Sequence, residues 1–130
     1  MNAMRYARQV ALAGIGEDGQ ARIRSGRVLV VGLGGLGAPA VSYLAGAGIG
    51  RLLLNDFDRV DETNLHRQPL FRTGDVGQRK VEAAAEAVRA LNPDCEVVTL
   101  DRRLDADTLR EEAASVSVVL DATDNFATRF

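Results

Sequence analysis

Apolar positions along the chain follow two alternating periods. Short runs rich in valine and leucine predict strands, which fall at residues 28–31, 51–56, 96–100 and 116–122. Apolar residues three and four positions apart predict helices between the strands, at residues 38–47, 75–92 and 106–114. Asp75 is predicted to cap the second of these helices, and Asn92-Pro93 to end it. The alternation predicts an α/β fold, Rossmann-like, with a parallel sheet covered by helices on both faces.

Two short helices are predicted ahead of the first strand, at residues 4–13 and 18–24. They form an arginine-rich arm over residues 1–26, followed by a core over residues 27–130. The pattern alone fits a helical brace as well as a functional segment. The length of 130 residues is that of a single domain. Because the chain stops at TDNFATRF, directly after a strand, we expect it to be the N-terminal portion of a larger domain.

A glycine-rich turn follows the first strand in the stretch VLVVGLGGLG. Gly32, Gly34 and Gly37 have the spacing G-x-G-x-x-G, which directs backbone amides and a helix N-terminus toward a phosphate group. Asp56 follows Gly37 by nineteen residues, where an acid can accept hydrogen bonds from ribose hydroxyls. These residues would bind ATP as well as they would bind a dinucleotide such as NAD.

The polar segment at residues 57–74 distinguishes between these two candidate ligands. It offers Asn64, Arg67 and Gln68 at the carboxyl end of a strand, where open parallel sheets bind ligands, and Lys80 follows in the first turns of the next helix. A triphosphate needs several cations, and usually a metal ion, to neutralise its charge. The segment therefore favours ATP, although Lys80 on its own fits a solvated surface cation too.

Two carboxylates end the last predicted strand in the sequence DATDN. Magnesium prefers oxygen ligands of this kind. Asp121 fits a structural role, in which it accepts hydrogen bonds from neighbouring donors. Asp124 is the better candidate metal ligand, and a plain helix N-cap is the alternative for it.

Composition and charge narrow the class of protein. The 16 basic and 18 acidic side chains leave a net charge of −2, so no overall field favours nucleic acid. A single cysteine, Cys95, excludes an internal disulfide or a cysteine-rich zinc site, and we expect it to be a small buried side chain. The uncharged run at 28–50 contains seven glycines and a proline, unlike a membrane span. No signal peptide is evident, and the cytoplasm is the expected location.

Taken together, RYARQ, GLGGLG, DFDRVDETNLHRQ, DVGQRK and DATDN resemble the ThiF/MoeB/HesA family, bacterial relatives of ubiquitin-activating enzymes. The similarity runs from residue 5 to residue 129. It implies an adenylyltransferase that binds ATP and Mg²⁺ and activates the C-terminal glycine carboxylate of a small ubiquitin-like sulfur-carrier protein. The product is an acyl-adenylate, pyrophosphate is released, and the carrier serves thiamine or molybdenum-cofactor synthesis.

The resemblance also implies roles for individual residues. Gly35 would lie against the nucleotide, Asp56 would hold the ribose, and Asn125 would flank the metal ligand Asp124. Arg8 would act as an arginine finger on the triphosphate in the other subunit of a homodimer. The full predicted sets are catalytic Arg8, Arg67, Lys80 and Asp124, and nucleotide-binding Gly32, Gly34, Gly35, Gly37, Asp56, Asp58, Asn64, Arg67, Gln68, Lys80, Asp124 and Asn125.

No protein nucleophile is needed in this scheme. The incoming carboxylate attacks the α-phosphorus, and the enzyme supplies position and positive charge. His66 stands where the family often has glutamine, and we assign it no catalytic role. The family's C-terminal half carries paired Cys-x-x-Cys zinc ligands and much of the carrier-binding groove, so zinc is expected only there. We therefore expect the 130-residue chain to be inactive or poorly active alone.

Several alternatives stay open from the sequence. An NAD-dependent oxidoreductase is supported by the glycines and Asp56. A non-enzymatic pseudo-activating subunit would bind a partner, although the charged site residues are all present. The pathway is open between thiamine and molybdopterin synthesis, and a relative that acts on modified tRNA is a further possibility; no membrane partner is expected.

Overall fold

The computed structural model describes residues 4–123. Its core is a four-stranded parallel sheet with the spatial order β3-β2-β1-β4. The strands are β1 Arg27–Val31, β2 Arg51–Asn55, β3 Glu96–Leu100 and β4 Val118–Asp121. The four predicted strands are confirmed, with small differences at their ends: β1 begins one residue earlier than expected, β2 ends one residue earlier, and β4 begins two residues later and ends one residue earlier.

Helices cover both faces of the sheet, as the sequence predicts. The helices are α1 Ala7–Val10, α2 Gly16–Ser25, α3 Gly37–Ala47, α4 Lys80–Leu91 and α5 Ala106–Ala114. Within β1, Val28 and Val30 face the larger apolar cluster, which α3 and α4 complete. Leu29 and Val31 face a smaller cluster, where Leu109 of α5 packs. Burial of each such side chain contributes about 1.5–3 kcal/mol to folding, so this alternation determines which face each helix covers.

The N-terminal arm is fastened to the core by side-chain hydrogen bonds. Gln9 and Gln20 both donate to the carbonyl oxygen of Ala47, at 2.9 and 3.0 Å. The buried Asn92 donates to the hydroxyl of Tyr6 at 2.7 Å. The arm is therefore a brace, as one interpretation of its sequence predicts. Its first helix is shorter than the expected 4–13, since only Ala7–Val10 is helical.

The segment between β2 and α4 contains two short 3-10 helices, Glu62–Asn64 and Thr73–Asp75. The prediction that Asp75 caps α4 is wrong. Its carboxylate accepts from the backbone of Arg72 at 2.8 Å, within the second 3-10 helix, and α4 begins at Lys80. Asp105 is the capping acid of α5, because it accepts from the backbone N–H of Thr108 at 2.8 Å.

The structure also bears on membrane association. Among residues 4–123, no helix combines the length and the apolar character that a membrane span requires.

Candidate functional site

A cleft of about 670 Å³ opens at the carboxyl ends of three strands. Residues that follow β1, β2 and β4 form its floor, and the segment from Asp56 to Lys80 forms one wall. This is the edge of an open parallel sheet at which ligands bind. The position predicted from the strand pattern is therefore the position of the cleft.

The glycine-rich turn forms the lip of the cleft above β1. Gly32 has a φ of +95°, and a side chain there would meet the backbone of Ala122 at 3.1 Å. A Cβ on Gly37 would overlap the carbonyl oxygen of Gly32. Both positions therefore require glycine for the turn itself. By contrast, a Cβ on Gly34 would meet nothing within 4 Å, so this lip leaves room for a ligand to approach the backbone.

Asp56 joins the glycine-rich turn to the next wall of the cleft. One carboxylate oxygen accepts from the backbone N–H of Leu33 at 2.9 Å, and the other accepts from that of Asp58 at 2.8 Å. A carboxylate has about four acceptor positions. Asp56 can therefore organise the turn and still accept a hydrogen bond from a ligand.

Backbone hydrogen bonds join the residues that follow β2 to the residues at the start of α4. The N–H of Val60 donates to Gln78 at 2.8 Å, and the N–H of Lys80 donates to the carbonyl oxygen of Asp58 at 3.0 Å. Arg59 and Arg79 form an isolated antiparallel bridge between these contacts. This pairing places the first residue of α4 beside the residues that end β2.

Lys80 is buried at the cleft, with 6% of its surface exposed. Within residues 4–123, its ammonium group forms neither an ion pair nor a hydrogen bond. Arg67 lies across from the glycine-rich turn, where its Cδ would be 4.0 Å from a Cβ on Gly35. Two cations therefore line the same cleft as the glycine-rich turn.

Gln68 lies in the cleft wall with 2% of its surface exposed. Its Oε1 accepts no hydrogen bond in the described part of the chain. A buried acceptor without a donor costs about 1–3 kcal/mol. Such an atom in a cleft wall fits a site that gains a hydrogen bond when a ligand binds.

Asn64 is positioned by the first of the two 3-10 helices. Its carbonyl oxygen accepts from the backbone of Arg67 at 3.1 Å and of Gln68 at 3.0 Å. Asp61 caps that helix, and hydrogen bonds from the backbone and hydroxyl of Thr63 lower the pKa of its carboxyl, with a smaller effect of the nearby Lys80 charge. Asp61 is therefore a charged cleft residue with a structural task.

Most of the predicted nucleotide residues converge on this cleft. Those that line it are Gly32, Gly34, Gly35, Asp56, Asp58, Asn64, Arg67, Gln68 and Lys80. Gly37 does not line it and is buried, with a role in the turn, and its expected contact with the nucleotide stays a prediction. Asp124 and Asn125 lie outside the described residues.

Three other predicted residues are placed elsewhere. Arg8 is exposed on α1 and does not line the cleft of its own chain, so its expected role in a second subunit stays a prediction. His66 is exposed and is not a lining residue. Asp121 accepts from the backbone and hydroxyl of Thr123 at 3.0 and 2.7 Å, which confirms its structural role.

Sequence reasoning missed several residues of the cleft wall. They are Leu36, Asn55, Phe57, Arg59, Asp61 and Thr63. The signal for Asn55 and Phe57 was their position next to Asp56, because neighbours at the end of a parallel strand share its edge. Among residues 4–123 no three acidic, histidine or cysteine side chains are grouped as a metal site would require. The buried Cys95 confirms its prediction, and burial raises the pKa of its thiol to about 11.

Sequence comparison identifies relatives of known activity. A model of the ThiF family matches residues 6–130. The sulfur carrier protein ThiS adenylyltransferase of Escherichia coli is 48% identical over 126 residues, which are 97% of this chain and 50% of that protein. The molybdopterin-synthase adenylyltransferase of Salmonella typhimurium is 48% identical over the same length, which is 51% of that protein. The chain thus spans about half the length of these relatives.

Structural comparison agrees. The structure of Escherichia coli tRNA N6-threonylcarbamoyladenosine dehydratase, TcdA, in complex with ATP is similar with a TM-score of 0.87 and 34% sequence identity. The match covers 95% of this chain and 50% of that chain. The family model matches nearly the whole chain, and the fold is similar to that of this structure. The chain therefore belongs to the ThiF family.

Proposed function

We propose that the cleft binds Mg-ATP and that the protein adenylates the C-terminal carboxylate of a ubiquitin-like sulfur-carrier protein. One observation carries the proposal: the buried Lys80 and the exposed Arg67 line the same cleft as a glycine-rich turn that leaves room for a ligand. Two cations beside such a turn suit a triphosphate better than a dinucleotide. The names of the relatives, which are adenylyltransferases, support the same chemistry.

Four of the cleft residues then have electrostatic or hydrogen-bonding roles. Lys80, Arg67 and Asn64 would hold the phosphates, and Asp56 would accept from a ribose hydroxyl. The carrier carboxylate would attack the α-phosphorus. The bond between that phosphorus and the bridging oxygen would break, and pyrophosphate would leave with the electron pair. The two cations would stabilise the negative charge that develops on the phosphate oxygens.

Magnesium would neutralise the triphosphate further when it is bound. We propose Asp124 as its ligand, with Asn125 beside it. The acidic cleft residues Asp56, Asp58 and Asp61 do not form a metal cluster in the described chain, and two of them already accept backbone hydrogen bonds. Support for Asp124 is its place in the sequence, three residues after β4 ends at Asp121.

The protein partner is the carrier, and a second copy of the chain is the other expected partner. Arg8 would reach the triphosphate of that second copy. Support comes from its exposure on α1, which the hydrogen bonds of Gln9 fasten to the core. We expect the protein to form a homodimer. We also expect Arg8→Ala to lower its affinity for Mg-ATP, although the substitution leaves the cleft of its own subunit intact.

Calorimetric titration with Mg-ATP and with NAD tests the site. We expect Mg-ATP to bind, NAD not to bind, and Arg67→Ala, Lys80→Ala and Asp124→Ala each to weaken Mg-ATP binding. Arg72→Ala is the matched control, since Arg72 is exposed and does not line the cleft. Preferential binding of NAD would overturn the proposal in favour of an oxidoreductase.

The substrate is tested by ATP–pyrophosphate exchange. Exchange that depends on a ubiquitin-like carrier with a C-terminal glycine is the expected result, and exchange that depends on tRNA would favour the activity in the name of the structural relative. We expect slow exchange from the 130-residue chain alone. A rate equal to that of a full-length relative would contradict the expectation that further chain completes the carrier groove.

A further inference from the structure

Two glutamines of the N-terminal arm form a polar pair inside the fold. Gln20 is fully buried, and Gln9 is half-buried beside it. The Nε2 of Gln9 donates to the Oε1 of Gln20 at 2.7 Å, and both amides donate to the carbonyl oxygen of Ala47. Glutamine is mostly an exposed residue in proteins, and an apolar side chain would fill the same space. Burial of surface alone therefore does not explain the pair.

The hydrogen bonds of the pair define a position more than they add stability. A hydrogen bond inside a protein replaces one with water, so its net contribution to stability is small. Its length and direction are nevertheless restricted, and a buried polar group that loses its partner is costly. Gln9 therefore has one favourable placement relative to Gln20 and Ala47. The backbone next to Gln9 is placed with it.

The helix α1, which carries Gln9, cannot maintain its conformation by itself. It has four residues, none of them buried, and its N-cap makes no side-chain hydrogen bond. Isolated helices of this length are unstable in water. The placement of α1 depends on contacts at its two ends. Gln9 is one of them, and Tyr6 at the N-cap is the other, since it is 3% exposed and its hydroxyl accepts from the buried Asn92 at 2.7 Å.

Arg8 lies between these two contacts. It is exposed, and within residues 4–123 its guanidinium group forms no hydrogen bond and no ion pair. Its five N–H donors suit an anionic group such as a phosphate. Binding costs less entropy when the backbone that carries a long side chain is already fixed. The contacts of Tyr6 and Gln9 therefore prepare Arg8 to bind an anion outside its own chain.

We propose that Gln9 and Gln20 are positioning residues that act through Arg8 on the nucleotide of a second copy of the chain. This inference rests on the proposed function, which places Arg8 at that nucleotide. Neither glutamine is among the described residues that line the cleft of its own chain. A change in the pair should therefore alter Mg-ATP binding only where Arg8 is present, and only in the partner's cleft.

A double-mutant cycle tests whether Gln9 acts through Arg8. Gln9→Met keeps the length of the side chain and removes its donors. It is expected to raise the Kd of Mg-ATP roughly fivefold or more, and to have no effect when Arg8→Ala is already present. Gln9→Lys retains a donor and should restore the affinity. Gln78→Met is the matched control, since Gln78 is exposed and does not line the cleft.

Mixed dimers test whether the effect passes between copies. Gln9→Met leaves its own cleft intact and misplaces Arg8, whereas Lys80→Ala leaves the arm intact and damages the cleft. Co-expression of the two chains should regain sites with wild-type affinity for Mg-ATP, because the arm of one chain serves the cleft of the other. Calorimetric titration that finds no such sites in the mixture would overturn the proposal.

A second substitution loosens α1 without a change in either glutamine. Ala7 is exposed and begins α1, and glycine favours a helix less than alanine does. Ala7→Gly should weaken Mg-ATP binding in the same direction as Gln9→Met, again only when Arg8 is present. This measurement decides the matter if Gln9→Met does not fold. Ala106→Gly is the matched control, because Ala106 is exposed and begins α5.

The outcomes distinguish this inference from the proposed function. Equal Mg-ATP binding by the wild type, Gln9→Met and Ala7→Gly overturns the inference and leaves the nucleotide cleft standing. The same conclusion follows if Arg8→Ala binds Mg-ATP like the wild type, or if Gln9→Met weakens binding equally with and without Arg8. Absence of Mg-ATP binding in the wild type overturns both proposals.

Discussion

Replacement of Lys80 by methionine separates binding from folding at one position. Lys80 begins α4 and is 6% exposed, and its ammonium group forms no hydrogen bond or ion pair within residues 4–123, although its charge acts on the nearby Asp61. Methionine keeps an unbranched apolar stem of similar length and removes the charge. The change therefore preserves the packing of the stem against the cleft wall and removes only the group that we assign to phosphate.

The two expected effects have opposite signs. Removal of a partly desolvated, unpaired charge should leave the free energy of unfolding unchanged or raise it by up to about 1 kcal/mol. Loss of a charged hydrogen bond to phosphate should weaken Mg-ATP binding by about 1.5–3 kcal/mol, or roughly tenfold to 150-fold in Kd. A residue needed mainly for folding would show the reverse pattern.

Urea unfolding and calorimetric titration of the same protein sample measure both effects. Arg79→Met is the matched control, since the neighbouring Arg79 is exposed and its ion pair with Asp101, at 3.3 Å, is worth at most about 1 kcal/mol. It should change Mg-ATP affinity little. A fall of more than about 1 kcal/mol in the stability of Lys80→Met, with Mg-ATP affinity retained, would refute the reasoning.

Three further predictions concern stability. Gly37→Ala should destabilise the fold by more than about 2 kcal/mol in urea unfolding, since its Cβ overlaps the Gly32 carbonyl; Gly74→Ala, which meets nothing within 4 Å, is the control, and equal losses would contradict the overlap. Asn92→Ala should cost about 2–3 kcal/mol, because its amide donates twice in a buried site; a loss below about 0.5 kcal/mol would count against the brace. For Cys95, the folded pKa of about 11 exceeds the unfolded value of about 8.5. The unfolded thiol loses its proton first, so stability should fall as pH rises through that window, and Cys95→Val should lessen this slope.

The sheet and its main helices follow from local pattern because each strand is buried by its neighbours. Leu52 and Leu54 belong to the larger apolar cluster, and Leu53 belongs to the smaller one. A run without polar interruption therefore predicts a strand that is covered on both faces. The same pattern could not predict the side of each helix, since both sides are equally apolar in sequence.

Capping residues were harder to predict, because several acids compete for each helix. Asp75 satisfies the local pattern of an N-cap, yet the chain makes one more turn before α4 begins at Lys80. The additional turn is held by the hydrogen bond from Lys80 N–H to Asp58, which joins residues far apart in sequence. A hydrogen bond between residues so far apart in the sequence cannot be predicted from the local sequence of the helix.

The predicted site residues that line the cleft share a property that made them selectable from the sequence. Asp56, Arg67 and Lys80 belong to types whose charge has a direct use in nucleotide binding, so chemistry alone selects them. Asn55 and Phe57 are equally part of the cleft, but an amide and a ring have many ordinary roles in a fold. Only the contacts of Asn55 with the β3–α5 loop, and of Arg103 with Phe57, distinguish them.

The geometry of this site depends more on backbone contacts than on the side chains that carry charge. Three hydrogen bonds, from Val60 to Gln78, from Gly77 to Val60 and from Lys80 to Asp58, join the two ends of the long segment after β2. Each uses only main-chain atoms, so exposed side chains along the segment can change while Lys80 stays at the cleft. Asp56 is the exception, since its carboxylate also orders the glycine-rich turn. Substitution of Asp56 should therefore lower stability and binding together, whereas substitution of Lys80 should weaken binding without a loss of stability.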